Sequence, residues 1–217
     1  MKDKQLSIAI TGAGGAGVIS CGELLLRAWA AQGGRGLMRK AFGPQIRGGE
    51  AAALLKLTDT EQYTASQVYD VVVALDWANF SRFEDEVQLG AETLVLCEPD
   101  TPPPDAVAAC GARLLTVPFA RLAAEAHAEG RVNMWLLGLL GQLLVLPQES
   151  LAMLAEQKLQ GKPAAYREAA VACIAAGAGH AIDCPLSAPA REATGTWVMS
   201  GNQAAGFGAL TAGVRFV

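Results

Sequence analysis

Segments of strand length, most of them apolar, recur along the first half of the chain. They occupy residues 6–11, 36–42, 51–57, 70–75, 92–97 and 113–117. The runs at 70–75 (DVVVAL) and 92–97 (ETLVLC) are nearly continuous in apolar and β-branched residues, which is typical of strands buried on both faces of a parallel sheet. The stretch at 18–31 follows the first run and has the composition of a helix. We therefore predict strands that alternate with helices.

The second half of the chain has the pattern of successive helices. From residue 119 to about residue 181, helix-forming residues dominate, and breaks fall near Gly130, Pro147 and Gly161. Before this part, the prolines of residues 98–105 exclude regular structure and indicate a surface loop. Together these patterns predict an α/β protein, Rossmann-like and doubly wound, with a mainly parallel sheet and a helical C-terminal part.

The composition changes again towards the C-terminus. Residues 184–196 (CPLSAPAREATGT) are rich in Pro, Ala, Ser and Thr, as interdomain linkers often are. A new apolar segment begins at Trp197. The sequence thus predicts a first domain at 1–183, a linker at 184–196 and the beginning of a second unit at 197–217.

Composition and charge exclude several classes of protein. Of the 217 residues, 52% are apolar and 18% are charged, which indicates one buried core and not disorder. The net charge is −4 and the Lys and Arg residues are scattered, so there is no basic surface for nucleic acid. The most apolar stretch, 132–146, is shorter than the roughly 20 residues that cross a bilayer, and the run at 6–10 is too short for a signal peptide. We expect a cytoplasmic protein that binds neither membrane nor nucleic acid.

The cysteines and histidines show no metal-binding pattern. No two cysteines form a C-x-x-C pair, and His127 and His180 are far apart in the sequence. Single cysteines of an intracellular protein are usually small buried side chains. We therefore expect no metal ion or iron–sulfur cluster on the five cysteines, which are Cys21, Cys97, Cys110, Cys173 and Cys184.

A glycine-rich turn follows the first predicted strand and opens the first predicted helix. Its spacing, Gly12-x-Gly14-x-x-Gly17, is that of turns whose backbone approaches a phosphate at a helix N-terminus. A cofactor site at Gly12, Gly14, Gly15 and Gly17 is the direct interpretation.

The acidic residue that holds the ribose of NAD in such sites is missing, however. No Asp or Glu lies between Glu23 and Glu50, and Arg35, Arg39 and Lys40 occur there instead. These residues suit a 2′-phosphate, a phosphate of coenzyme A, or solvent. The residues alone leave three possibilities open: a free-standing NAD(P)-binding protein, a turn that serves chain geometry or another ligand, and an interaction module without a ligand.

A second glycine-rich loop changes the interpretation. Residues 43–50 read GPQIRGGE and precede a predicted strand. Two glycine-rich loops in this order, followed by the DVVVAL strand at 70–75 and by the helix that contains Asn133, Met134 and Gly138, resemble the gamma subunits of 2-oxoacid:ferredoxin oxidoreductases. The pyruvate and 2-oxoglutarate enzymes belong to this family. The resemblance extends from residue 6 to about residue 180.

The resemblance implies a role within a larger enzyme. That enzyme would oxidatively decarboxylate a 2-oxoacid, transfer the acyl group to coenzyme A and pass electrons through iron–sulfur clusters to ferredoxin. The alpha domain and the beta subunit would hold thiamine diphosphate, and the clusters would lie on cysteine motifs outside this chain. This chain would contribute no catalytic residue and bind no cofactor alone, but would form interfaces and part of the surroundings of coenzyme A. The expected interface residues are Gly43, Pro44, Arg47, Gly48, Gly49, Glu50 and Asn133.

The C-terminal segment carries a second resemblance. Residues 200–213 (SGNQAAGFGALTAG) are similar to the opening helix of the family's alpha, or pyrimidine-binding, domain. Gln203 departs from the acidic residue common at its position, so that residue's role is not carried over. We expect a gamma–linker–alpha fusion that is cut short after Val217. The alternative is a C-terminal helix that folds back on the first domain.

Overall fold

The computed structural model describes residues 5–44, 49–60, 64, 66–78, 80–100, 102–182, 186, 188–191 and 196–215. The described strands are β1 (Gln5–Ala13), β2 (Arg35–Phe42), β3 (Glu50–Thr58), β4 (Val71–Ala74), β5 (Leu94–Cys97) and β6 (Arg113–Thr116). The described helices are α1 (Val18–Ala31), α2 (Asp105–Ala109), α3 (Phe119–Ala126), α4 (Val132–Leu143), α5 (Gln148–Lys158), α6 (Ala164–Ala178) and α7 (Gly201–Thr211), with a 3-10 turn at Phe80–Phe83.

The strands form one sheet in the order β2-β3-β1-β4-β5-β6. Strands β1, β4, β5 and β6 are parallel to one another, which confirms the predicted α/β fold with a mainly parallel sheet. Strand β3 departs from this arrangement, since it is antiparallel to both β1 and β2. The reason is the length of its connection to β2, because residues 43–49 are fewer than the roughly dozen that a parallel crossover needs.

The two faces of the sheet are covered unequally. Helices α1 and α3 to α6 pack on one face around the buried Trp29 and Trp135. The other face is covered by a thinner layer that includes Tyr69, Phe80 and Phe83. The sequence predicted strands that alternate with helices, but the described part of the connection between β4 and β5 contains a short 3-10 turn and no α-helix.

Prolines mark the starts of the C-terminal helices. A proline occupies the N-cap position of α3, α5 and α6, where its fixed φ angle and its missing N–H are tolerated. The breaks predicted near Gly130, Pro147 and Gly161 fall between these helices. None of the helices that the structure describes has both the length and the apolar character that a bilayer crossing requires.

The described residues between α6 and α7 are not a free linker. We call residues 186–196 the strap, of which the structure describes 186, 188–191 and 196. Leu186 and Ala188 pack on the core, and the Arg191 guanidinium donates two 3.3 Å hydrogen bonds to the Val145 carbonyl oxygen. Thr196 closes the strap, because its N–H donates to the Ala30 carbonyl and its hydroxyl to the Gly34 carbonyl, both at 2.9 Å.

The segment after the strap has little contact with the core. We call residues 197–215 the tail. Helix α7 has no buried residue, and its N-terminus is closed by its own capping box between Ser200 and Gln203. Trp197 is 80% exposed and Leu210 is 68% exposed.

Candidate functional site

The candidate site lies at the carboxyl edge of the parallel strands. The glycine turn, residues 12–17, joins β1 to α1 at the place where the chain order of the sheet reverses between β1 and β4. Ligands of open α/β sheets bind in the crevice at such a position. Asp76 follows β4 and links it to the end of β1, since its Oδ2 accepts a 2.9 Å hydrogen bond from the Ala13 N–H.

The two glycine-rich loops are joined directly. The Gly14 N–H donates to the Gly49 carbonyl oxygen, and the Gly43 N–H donates to the Glu50 carbonyl oxygen at 2.9 Å. A Cβ added to Gly14 would lie 2.6 Å from the Gly49 oxygen, so only glycine permits this approach. The Gly14 N–H is therefore used within the chain and is not left open for a phosphate.

Gly17 contacts helix α4 through Asn133. Gly17 has a left-handed backbone with φ of 81°, and the Asn133 side chain occupies the space where a Cβ would be. The Asn133 Nδ2 lies 3.5 Å from the Gly17 carbonyl oxygen, at the limit of a hydrogen bond. The structure thus places this predicted interface residue in an intramolecular contact that is half-buried.

The other two glycines of the turn differ from each other. Gly12 is buried, and a Cβ added there would lie 3.1 Å from the Leu75 Cβ. Gly15 is exposed with φ of 95°, and no atom of a described residue lies within 4 Å of an added Cβ. Of the four glycines predicted to bind a cofactor, Gly15 is thus the one whose surroundings are open.

Glu50 is buried beneath the second loop. Its side chain is 6% exposed and its Oε1 lies 3.3 Å from the Arg82 Nε. Its Oε2 is buried without a hydrogen-bond partner among the described residues, and it packs against Gly43. Pro44 is exposed and Gly49 is buried. The predicted interface residues Arg47 and Gly48 lie outside the described residues.

Three side chains at this edge were not identified from the sequence. Besides Asp76, Trp77 follows β4 and has a buried Nε1 without a partner among the described residues. Glu98 follows β5 and accepts a 2.8 Å hydrogen bond from the Ala120 N–H. The pKa of the Glu98 carboxyl is raised, because the effect of burial is larger than the opposite effect of that hydrogen bond. All three lie within three residues of the end of a buried strand, and this position is the signal that could have found them.

The described cysteines are free thiols. Cys21, Cys97 and Cys173 are buried free thiols, and burial raises the pKa of Cys21 to about 12. Within the described ranges, no three His, Cys, Asp or Glu side chains are grouped as a metal site. Cys184 lies outside those ranges.

Comparison with known proteins gives the family. The chain belongs to the pyruvate ferredoxin/flavodoxin oxidoreductase family, whose model matches residues 7–179. This confirms the resemblance drawn from the two loops. In a 58-residue segment the chain is 36% identical to the 2-oxoglutarate synthase subunit KorC of Archaeoglobus fulgidus, a segment that covers 27% of this chain and 31% of that protein.

Solved structures share the fold. A 2-oxoglutarate:ferredoxin oxidoreductase from Magnetococcus marinus, solved with 2-oxoglutarate, coenzyme A and succinyl-CoA, matches 97% of this chain with a TM-score of 0.79 and 23% identity. This chain spans 37% of that one. The pyruvate oxidoreductase subunit PORC of Thermotoga maritima matches 80% of this chain, with a TM-score of 0.62 and 19% identity, over 95% of its own length. The keto/oxoacid ferredoxin oxidoreductase gamma subunit of Geobacter sulfurreducens matches 80% of this chain, with a TM-score of 0.61 and 20% identity, over 94% of its length.

Proposed function

We propose that the chain is the gamma domain of a thiamine-diphosphate-dependent 2-oxoacid:ferredoxin oxidoreductase and that it assembles this enzyme without catalysing a step alone. The reaction would convert a 2-oxoacid and coenzyme A into an acyl-coenzyme A, with electrons passed to ferredoxin. The observation that carries the proposal is the joined pair of glycine-rich loops within a family match over residues 7–179. The names of the solved relatives, which include a gamma subunit, support it.

Coenzyme A is the cofactor that the residues of this chain fit best. When bound, it supplies the thiol that accepts the acyl group. The open backbone at Gly15 would hold one of its polar groups, while Gly12, Gly14 and Gly17 shape the turn that presents Gly15. The described residues offer no fit to an iron–sulfur cluster, so clusters and thiamine diphosphate are assigned to the alpha and beta partners.

The second loop would form the contact with partner subunits. Phe42 is 65% exposed at the end of β2, and Pro44 beside it is also exposed. Glu50, the last residue of the loop, forms an ion pair with Arg82, and this ion pair would fix the end of the loop. Arg47, which lies outside the described residues, would supply a guanidinium to the partner. An exposed aromatic side chain beside a charged loop is typical of protein interfaces.

The tail would be the beginning of the alpha domain. Its helix α7 has no buried residue, so its apolar side chains are exposed to solvent, with Leu210 at 68%. The Magnetococcus enzyme matches 97% of this chain, whereas the two separate subunits match 80%. The tail would therefore correspond to part of a further domain in that longer chain.

A free-standing NAD(P)-binding protein is the less well supported function. Strand β2 has no acidic residue, and it ends at the exposed Phe42 where a ribose-binding carboxylate would be needed. The Gly14 N–H is already bonded to Gly49.

Co-expression with the alpha and beta partners tests the interface. Phe42→Ala and Arg47→Ala should reduce the yield of the complex and its 2-oxoacid- and coenzyme A-dependent reduction of viologen, and should leave the melting temperature of the isolated chain unchanged. Met153→Ala is the matched control, because Met153 is 52% exposed on α5, away from the loop. If Met153→Ala weakens assembly as much as Phe42→Ala does, the interface is not at this loop.

A further inference from the structure

A cavity lies away from the glycine turn, between α1, β2 and the end of the strap. Its volume is about 710 Å³, within the range of roughly 300–1,000 Å³ that is common for small-molecule sites. Side chains of α1 and β2, among them Arg27, Met38 and Lys40, form its floor, and residues 196–203 form its roof.

The roof of the cavity is held in place by hydrogen bonds. It begins at Thr196, which is bonded to the carbonyl oxygens of Ala30 and Gly34 at 2.9 Å each. Further along, the capping box of Ser200 and Gln203 fixes the start of α7. The cavity therefore lies where the first domain passes into the tail, and ligand sites are frequent at such junctions.

The charges around the cavity favour an anion. Glu23 is its one described acidic lining residue, and Lys40 and Lys158 share the Glu23 carboxylate, with the Lys158 Nζ 2.6 Å from Oε2. Arg27 is exposed in the lining and makes no ion pair with a described residue. The described lining thus has three cationic side chains, Arg27, Arg35 and Lys40, and one carboxylate, in a chain whose net charge is −4.

The cavity also offers an aromatic surface. Trp197 lines the roof and is 80% exposed, so its indole has unused apolar area. Its ring is in edge contact with Phe207, at 6.2 Å between centroids, which leaves other parts of the ring open. Leu26 and Met38 add apolar side chains from the floor.

We propose that this cavity binds a phosphorylated small molecule, with the phosphate against Arg27 and Lys40 and the apolar part of the ligand against Trp197. A site with guanidinium and ammonium groups on one side and an indole on the other suits a ligand that combines phosphate with an aromatic ring, such as a nucleotide. This inference does not depend on the proposed function.

Titration of the full chain with ADP, adenosine and inorganic pyrophosphate, followed by tryptophan fluorescence, tests the proposal. ADP should give a saturable change that disappears in Trp197→Phe, and adenosine, which lacks phosphate, should bind at least tenfold more weakly. Arg27→Ala should weaken ADP binding roughly tenfold or more. Arg121→Ala on α3 is the matched control and should leave the affinity unchanged, because its side chain is 70% exposed and pairs with Glu125.

Three results would overturn the proposal. One is the absence of any change with millimolar ADP or pyrophosphate. Another is equal affinity for adenosine and ADP, since the cations would then contribute nothing. The third is an Arg27→Ala effect no larger than that of Arg121→Ala. Circular dichroism of each variant separates loss of binding from loss of folding.

Discussion

The contact between Gly17 and Asn133 can be tested by substitution in pairs. Gly17→Ala introduces a methyl group where the Asn133 side chain already lies, and it does so at a left-handed backbone position. Gly15→Ala is the matched control, because Gly15 is also left-handed but has open space around it. The difference between the two variants therefore isolates the contact with α4.

The expected sizes follow from the two causes. A left-handed backbone costs a non-glycine residue about 1–2 kcal/mol, which applies to both variants. Overpacking against a neighbouring side chain adds about 1–3 kcal/mol, which applies to Gly17→Ala alone. Gly15→Ala should thus lower the free energy of unfolding by about 1–2 kcal/mol, and Gly17→Ala by about 2–5 kcal/mol.

Combination with Asn133→Ala provides the decisive comparison. Removing the Asn133 amide should relieve the overpacking in Gly17→Ala, so the double variant should be more stable than the sum of the single changes by about 1 kcal/mol or more. The Gly15→Ala and Asn133→Ala changes should be additive. Urea unfolding of the five variants, followed by circular dichroism, gives these values. Additivity for the Gly17 pair, or equal losses for Gly15→Ala and Gly17→Ala, would refute the contact.

Three further predictions concern stability. Deleting residues 197–217 should change the melting temperature by no more than about 2 °C. Deleting 184–217 should lower it by several degrees, because the hydrogen bonds of Arg191 and Thr196 are lost. Equal melting temperatures for the two deletions would show that the strap does not stabilise the first domain. Burial raises the pKa of Cys21 from 9.0 to about 12. Because the thiol of the unfolded chain ionises first as the pH rises, the stability of the fold should decrease between about pH 9 and 12. In thermal melts over that range, the melting temperature of Cys21→Ala should decrease less than that of the parent chain. Burial acts to raise the pKa of Glu23, but hydrogen bonds from Lys158 and Lys40 outweigh it and hold that pKa below 4.5. The Glu23 contribution should therefore be complete above pH 4.5 and lost as the pH falls below it, and Glu23→Gln should lose less stability than the parent chain in acid; identical acid profiles would contradict this.

The elements of the fold were predictable because their signals are local. Continuous apolar runs such as 70–75 mark buried strands, and Pro147 marks a helix start. The antiparallel direction of β3 was also within reach, since the short connection at 43–49 excludes a parallel crossover.

The contacts that build the site were less accessible. Gly17 and Asn133 are 116 positions apart, and no periodicity links them. The burial of Glu50 depends on the 3-10 turn that carries Arg82, which the sequence did not indicate. The composition of residues 184–196 predicted a linker. It could not predict the hydrogen bonds of Thr196 to the α1–β2 turn, because these depend on tertiary structure.

The most direct test of the proposed function is reconstitution with and without this chain. The alpha and beta partners would be purified anaerobically, with residues 1–217 either present or absent, and 2-oxoacid-dependent reduction of ferredoxin would be measured with and without coenzyme A. We expect activity that requires both this chain and coenzyme A, and none from the chain alone. Full activity of the partners without the chain, or reduction of NAD(P) by the chain alone, would contradict the assignment.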